Sequence, residues 1–164
     1  MADVSVLFVC LGNICRSPTA HGVFQQMIDD AGLADRVRVD SCGTGGWHVG
    51  EAPDRRSTAE AARRGYQLAH LRARQLVSED LAEFDYVLAM DGNNLSEIKK
   101  LQKKSKVDSA SIQLFLEYAS QQPVREVPDP YYGGADGFAE VLDLVEAASR
   151  GLLADVRQRL ESPC

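Results

Sequence analysis

No stretch of this sequence approaches the roughly 20 consecutive apolar residues that a membrane helix needs. The one early apolar run, Val4 to Val9, is too short for a secretory leader and has no Lys or Arg before it. Export is therefore not indicated, and the reading is cytoplasmic. Cysteine is sparse, with four residues in 164. In a reducing compartment these are thiols rather than a disulfide scaffold. A basic excess is also missing: 18 Lys and Arg face 24 Asp and Glu, for a net charge of −6. That balance argues against bulk nucleic-acid binding. There is no internal repeat, low-complexity tract or linker, so residues 1–164 read as a single domain with ample length for a core.

The charge is uneven along the chain. Residues 1–35 carry one Arg and four acids, residues 36–106 carry 13 bases and 10 acids, and residues 107–164 carry four bases and 10 acids. Five lysines fall between Lys99 and Lys106. A solvated helix end is the ordinary explanation for such a run.

Short apolar runs alternate with amphipathic stretches. Val4 to Val9 reads as a buried parallel strand. Ala20, Val23, Phe24, Met27 and Ile28 follow at helical spacing, with Gly32 as the stop. Val37 to Ser41 alternates as a strand and runs into the loop Gly43 to Gly46. A helix is expected over Asp54 to Arg64, a third strand over Phe84 to Met90, a helix over Asp91 to Lys104 and a short fourth strand over Ile112 to Leu116. Glu117 to Asp136 holds three prolines and reads as a long loop, the kind that often carries function. A stripe from Phe138 to Leu160 marks a long closing helix. This alternation predicts an α/β fold with a doubly wound, four-stranded parallel sheet and helices on both faces. Ligands of such sheets lie beyond the carboxyl ends of the strands, here after Val9, Ser41, Met90 and Leu116.

The first of these positions is the most informative. Val9 runs into Cys10-Leu11-Gly12-Asn13-Ile14-Cys15-Arg16-Ser17-Pro18. Ser17 suits a helix cap and Pro18 the first helical position. The helix start offers free N–H groups and a dipole to an anion. Gly12 and Asn13 tolerate the backbone angles of an anion-cradling nest, and Arg16 adds a permanently charged fork. A field that holds phosphate also stabilises a thiolate, so Cys10 at the base of the cradle reads as a nucleophile. A lone cysteine ending a strand is usually a small core residue; the joint Cys-x5-Arg-Ser pattern between strand and helix is far more specific. Competing phosphate motifs, Gly-x4-Gly-Lys-Ser/Thr and Gly-x-Gly-x-x-Gly, are absent. Zinc binding by Cys10, Cys15, Cys42 and His21 lacks the paired short spacings of structural sites. No metal and no cofactor is expected.

Val9 to Pro18 resembles the signature loop of the low-molecular-weight protein tyrosine phosphatases. Trp47-His48-Val49-Gly50, Ala69 to Gln75 and Asp129-Pro130-Tyr131-Tyr132-Gly133 are similar to further family segments, in the family's order over nearly the whole chain. The resemblance implies the four-stranded fold and hydrolysis of phosphotyrosine on protein substrates, by a monomer or weak dimer. It assigns Cys10 as nucleophile, Arg16 and the Leu11, Gly12, Asn13, Ile14 and Cys15 loop as phosphate ligands, and Asp129 as general acid and then base. Ser17 would stabilise the departing thiolate. Asn13, Ser17, Ser41 and His70 would hold the loop's shape. Trp47, Tyr131 and Tyr132 would wall a groove for a flat aryl ring, and Tyr131 or Tyr132 would be targets of a tyrosine kinase. Cys15 would protect oxidised Cys10 by forming a reversible disulfide. Cys42 stands where the family usually has Gly or Ala, and Cys164 has no assigned task.

Three alternatives are open to a chain with this loop. Arsenate reduction on this fold needs further cysteines near the third strand, and residues 70–100 contain none. Arginine phosphatases carry Thr where this chain has Ile14. A phosphotyrosine-binding module without catalysis would have no need to keep Cys10, Arg16 and Asp129 together.

Overall fold

The computed structural model describes residues 2–107, 110–119, 124–130 and 135–161. The elements are β1 (Val4–Cys10), α1 (Arg16–Asp30), β2 (Val37–Gly43), α2 (Arg55–Arg63), α3 (Ser78–Glu83), β3 (Tyr86–Ala89), α4 (Gly92–Ser105), β4 (Ser111–Leu114), a 3-10 turn (Phe115–Tyr118) and α5 (Ala135–Glu161). The four strands form one sheet in the order β2-β1-β3-β4, all parallel. This is the doubly wound arrangement that the alternation of strand and helix patterns predicts. Among the described residues, no helix is long and apolar enough to cross a membrane.

β1 is buried along its whole length because it is central and covered on both sides. Its side chains alternate between two cores. Val4, Val6, Phe8 and Cys10 face α1 and α5, where Phe24, Leu142, Val145 and Leu152 complete the layer. Leu7 and Val9 face the other way, toward Cys42, Leu81 and Ile98. Phe8 is the pivot of the first core, edge-on to Phe24 and Phe115 with ring centroids 5.9 and 4.9 Å away.

Several boundaries differ from expectation, for local reasons. α1 begins at Arg16 with Cys15 as its cap, so Ser17 and Pro18 lie inside the first turn. Ser17 is thus released from capping and its hydroxyl turns to the loop. α3 was not foreseen; six residues are too few to display a helical period. The fourth strand stops at Leu114, and Phe115 and Leu116 instead enter the 3-10 turn that docks on α5. Gly32 and Gly65 do terminate their helices, each at positive φ.

Candidate active site

The carboxyl ends of β1, β2 and β3 bring three loops together. Residues 11–15 link β1 to α1 and form one wall. Asn13 holds φ 59°, the left-handed region that asparagine tolerates. Gly12 is not left-handed; it is needed because the His48 ring approaches it, with a hypothetical Cβ only 2.9 Å from Cδ2. The Asn13 N–H donates to Cys10 Sγ at 3.2 Å, and the Asn13 side-chain amide donates to Ser17 Oγ at 2.8 Å. Ser17 Oγ lies 3.0 Å from Cys10 Sγ and 3.3 Å from the Cys42 carbonyl. Cys10, Asn13, Arg16 and Ser17 are all buried.

Arg16 is the charged centre of this group. Its Nη1 donates to Asp91 Oδ2 at 2.6 Å and to the Val127 carbonyl at 3.1 Å, while Nη2 lies 3.7 Å from Asp129 Oδ2. Burial would lower the guanidinium pKa, but a negative Cys10 sulfur and the Asp91 and Asp129 carboxylates outweigh it and hold Arg16 above its ordinary value. Asp91 is also the cap of α4, accepting from the Asn94 N–H at 2.8 Å. One carboxylate therefore ties the start of α4 to the arginine. The Val127 N–H donates to the Met90 carbonyl at 2.7 Å, which pins the segment leading to Asp129 against the end of β3.

Cys10, Leu11, Gly12, Ile14, Cys15, Arg16, Trp47, His48 and Asp129 line one cleft of about 330 Å³. Trp47 lines the cleft with 71% of its surface exposed, which is unusual for the only tryptophan of a chain. Tyr131, Tyr132 and Cys164 lie outside the described residues.

The loop is braced from behind by a segment whose role the sequence left unread. The Arg74 N–H donates to Asn13 Oδ1 at 3.0 Å, and its carbonyl accepts from the Gly43 N–H at 2.9 Å. The Arg74 guanidinium is bidentate to Asp80 at 3.0 Å on both arms and reaches Asp40 at 3.1 Å. Ser41 is buried, and its hydroxyl meets His21 Nδ1 at 3.0 Å. His70 is exposed, and no hydrogen bond from it to Ser41 occurs. Burial pushes His21 down to about 4, against the pull of Asp40 and with help from His70 and Arg74, so it is neutral at pH 7.

The cysteines separate by environment. Burial pushes the Cys15 thiol up to about 12, despite a hydrogen bond from Ser57 that favours the thiolate. Cys42 is pushed well above its ordinary value by burial and faces the core on the opposite side of the sheet from Cys10. It is therefore not placed as a disulfide partner for Cys10.

Residues 5–162 match the model of the low molecular weight phosphotyrosine protein phosphatases. The chain belongs to that family. The low molecular weight protein-tyrosine-phosphatase of Streptomyces coelicolor is 48% identical over 158 residues, covering 95% of each chain. The human low molecular weight phosphotyrosine protein phosphatase is 40% identical over 152 residues, covering 93% of this chain and 95% of the relative. A crystal structure of protein tyrosine phosphatase from Entamoeba histolytica superposes with a TM-score of 0.88 at 36% identity, covering 94% of this chain and 97% of the other. This low molecular weight phosphatase is accordingly a hydrolase of the protein-tyrosine-phosphatase class.

Asp91, Arg74, His21 and His48 were not among the site residues expected from sequence. Asp91 had a usable signal: it follows the third strand at its carboxyl end, where ligands bind in such sheets. Arg74 lies in the Ala69 to Gln75 segment that resembles the family, but its bond to Asn13 spans 61 positions, and His21 had no local signal, since its partner Ser41 is 20 positions away.

Proposed function

We propose that this phosphatase hydrolyses phosphotyrosine through a phosphocysteine on Cys10, with Asp129 as proton donor and then acceptor. The observation that carries the reading is the convergence on one cleft of Cys10 Sγ, bonded to the Asn13 N–H and within 3.0 Å of Ser17 Oγ, with Arg16 and Asp129. The dianionic phosphoryl group would lie against the 11–15 loop amides, the start of α1 and the Arg16 guanidinium. Asp91 and Val127 hold Nη1, so a phosphate would be met from the Nε and Nη2 edge, where its oxygens would compete with the Asp129 carboxylate 3.7 Å from Nη2.

Cys10 thiolate attacks phosphorus, the P–O bond to tyrosine breaks, and protonated Asp129 delivers its proton to the leaving phenolate oxygen. Asp129 then takes a proton from water as that oxygen attacks the phosphocysteine. The S–P bond breaks, the sulfur leaves as thiolate, and inorganic phosphate departs. The single Ser17 hydroxyl proton has two acceptors in reach, Sγ and the Cys42 carbonyl. A thiolate draws it to Sγ, which assists the second step.

Two supporting parts belong to this reading. Trp47 on one side, with Tyr131 and Tyr132 after the acid, would form the aromatic walls that admit a phosphotyrosyl ring. Peroxide would convert Cys10 to the sulfenic acid, and condensation with the Cys15 thiol would give a disulfide and water.

The test pairs two substitutions. Cys10→Ser abolishes turnover of an aryl phosphate while retaining phosphate or vanadate binding; persistent turnover would overturn the nucleophile. Asp129→Ala slows a phenyl phosphate far more than an activated aryl phosphate, and equal slowing would overturn the acid. Phosphoarginine and arsenate are poor substrates on this reading, and a preference for either would replace it.

A further inference from the structure

All five lysines of the chain lie between Lys99 and Lys106, on the second half of α4 and just past its end. All five are exposed. Among the described residues, one has a carboxylate partner: Lys100, 3.3 Å from Glu97 in a pair that is itself exposed. The remaining residues include 13 Arg against 24 acids, so the rest of the molecule sums to −11. The helix dipole accounts for cations in the last turn, where Lys103 and Lys104 sit. It does not account for Lys99 and Lys100, which lie mid-helix.

Gly92, Leu95, Ser96, Lys99, Lys100 and Lys103 line one shallow groove of about 430 Å³. Their spacings of three and four residues place them on one helix face. The face starts at the helix end that is tied to the site arginine: Gly92 follows Asp91, which holds Arg16, and the Gly92 N–H donates to Glu126 at 2.6 Å. At a rise of 1.5 Å per residue, Lys99 lies about 12 Å and Lys103 about 18 Å along the helix from Asp91. An extended peptide covers about 3.3 Å per residue, so four to six residues span that distance.

We propose that the lysine face of α4 docks an acidic segment of the phosphoprotein substrate, with its carboxylates four to six residues from the phosphotyrosine. This rests on the reading of the cleft as a phosphotyrosine site. The cleft grips a single phosphorylated side chain. The lysines add a second, sequence-tolerant contact, since each is a flexible point charge rather than a shaped fork. Acidic segments are repelled by the remaining surface and drawn to this one helix, which orients the substrate along the groove.

The experiment compares two phosphotyrosyl peptides of equal length on the full chain, one with Glu and one with Gln four to six residues from the phosphotyrosine on both sides. The acidic peptide is expected to show five- to tenfold higher kcat/KM at low salt, carried mainly by KM. The advantage should shrink toward unity by 0.5 M salt, where the Debye length is only a few ångströms. Lys99→Glu with Lys103→Glu removes the advantage and leaves turnover of a small aryl phosphate unchanged; Lys99→Gln with Lys103→Gln serves where charge reversal disturbs the helix. Equal rates for the two peptides, with the aryl phosphate still turned over, would overturn the docking surface alone. Failure to turn over the aryl phosphate would overturn the reading of the cleft. Lysine-dependent sedimentation with phosphatidylserine vesicles, without peptide discrimination, would assign the face to an anionic membrane and overturn the proposal.

Discussion

Gly43→Ala tests how tightly the loop after Cys10 is held. Gly43 ends β2 directly beside Cys10 in the sheet register. A Cβ there would lie 2.7 Å from the Leu11 carbonyl oxygen, 3.0 Å from the Gly12 carbonyl carbon and 3.1 Å from the Asn13 nitrogen. Ordinary van der Waals contact begins near 3.4 Å, so the worst overlap is about 0.7 Å. All three obstacles are backbone, so no side chain can swing aside. Gly43 is itself clamped, its N–H bonded to the Arg74 carbonyl and its carbonyl to the Leu76 N–H. The loop must therefore move outward by about half an ångström to one ångström, and with it the Asn13 N–H that donates to Cys10 Sγ. A displacement on that scale costs about 10²-fold in rate, and overpacking costs about 1–3 kcal/mol of stability. For a chain of this size that is a Tm loss of roughly 2–4 °C per kcal/mol. Turnover of an aryl phosphate, phosphate inhibition and calorimetry read the three effects. Gly45→Ala is the control: its Cβ would meet the Trp47 ring, which is mostly exposed and free to swing, so KM should change more than Tm. Wild-type kcat/KM and Tm in Gly43→Ala would refute the account of the loop.

His21 supplies a pH prediction. Its folded-state pKa, near 4, lies below the ordinary histidine value of 6.5. The unfolded chain then binds the extra proton first, so His21 favours folding above pH 6.5 and this stability is lost as pH falls toward 4. His21→Gln should flatten the fall in Tm across that window by the equivalent of about 3 kcal/mol; parallel profiles would show that His21 does not titrate as described. For Cys15→Ser, peroxide treatment should leave less activity recoverable by reductant than in the parent, and identical recovery would remove Cys15 from the protective role. Because burial holds the Cys15 thiol near 12, disulfide formation in the parent should accelerate as pH rises above neutrality, which stopped-flow thiol titration can follow.

The fold was readable because its cues are local. The β-branched Val4 to Val9 run, the Ala20 to Ile28 helical stripe and the Gly32 stop each act within a few residues. The loop after β1 was readable for the same reason: Cys10, Asn13, Arg16 and Ser17 are close in the chain, and their bonds to one another are short-range. α3 and the true start of α1 were not, because six residues carry no period and Ser17 serves the loop instead of the helix end. Supports drawn from distant segments were also hidden. His21 meets Ser41 across 20 positions, and the Arg74 backbone meets Asn13 across 61 positions.

The sequence by itself determined the parallel α/β architecture, the family and the set of chemical groups at the end of β1. Short-range backbone preferences and side-chain types are enough for that. Only the tertiary structure decided how those groups are charged and held. Asp91 and Asp129 reach Arg16 because the ends of β1 and β3 lie side by side and Val127 is bonded to Met90. Cys42 and Cys10 face opposite cores because adjacent register positions alternate across the sheet. Electrostatics at the cleft depends on distance through space and on burial, and both appear only when the strands pair.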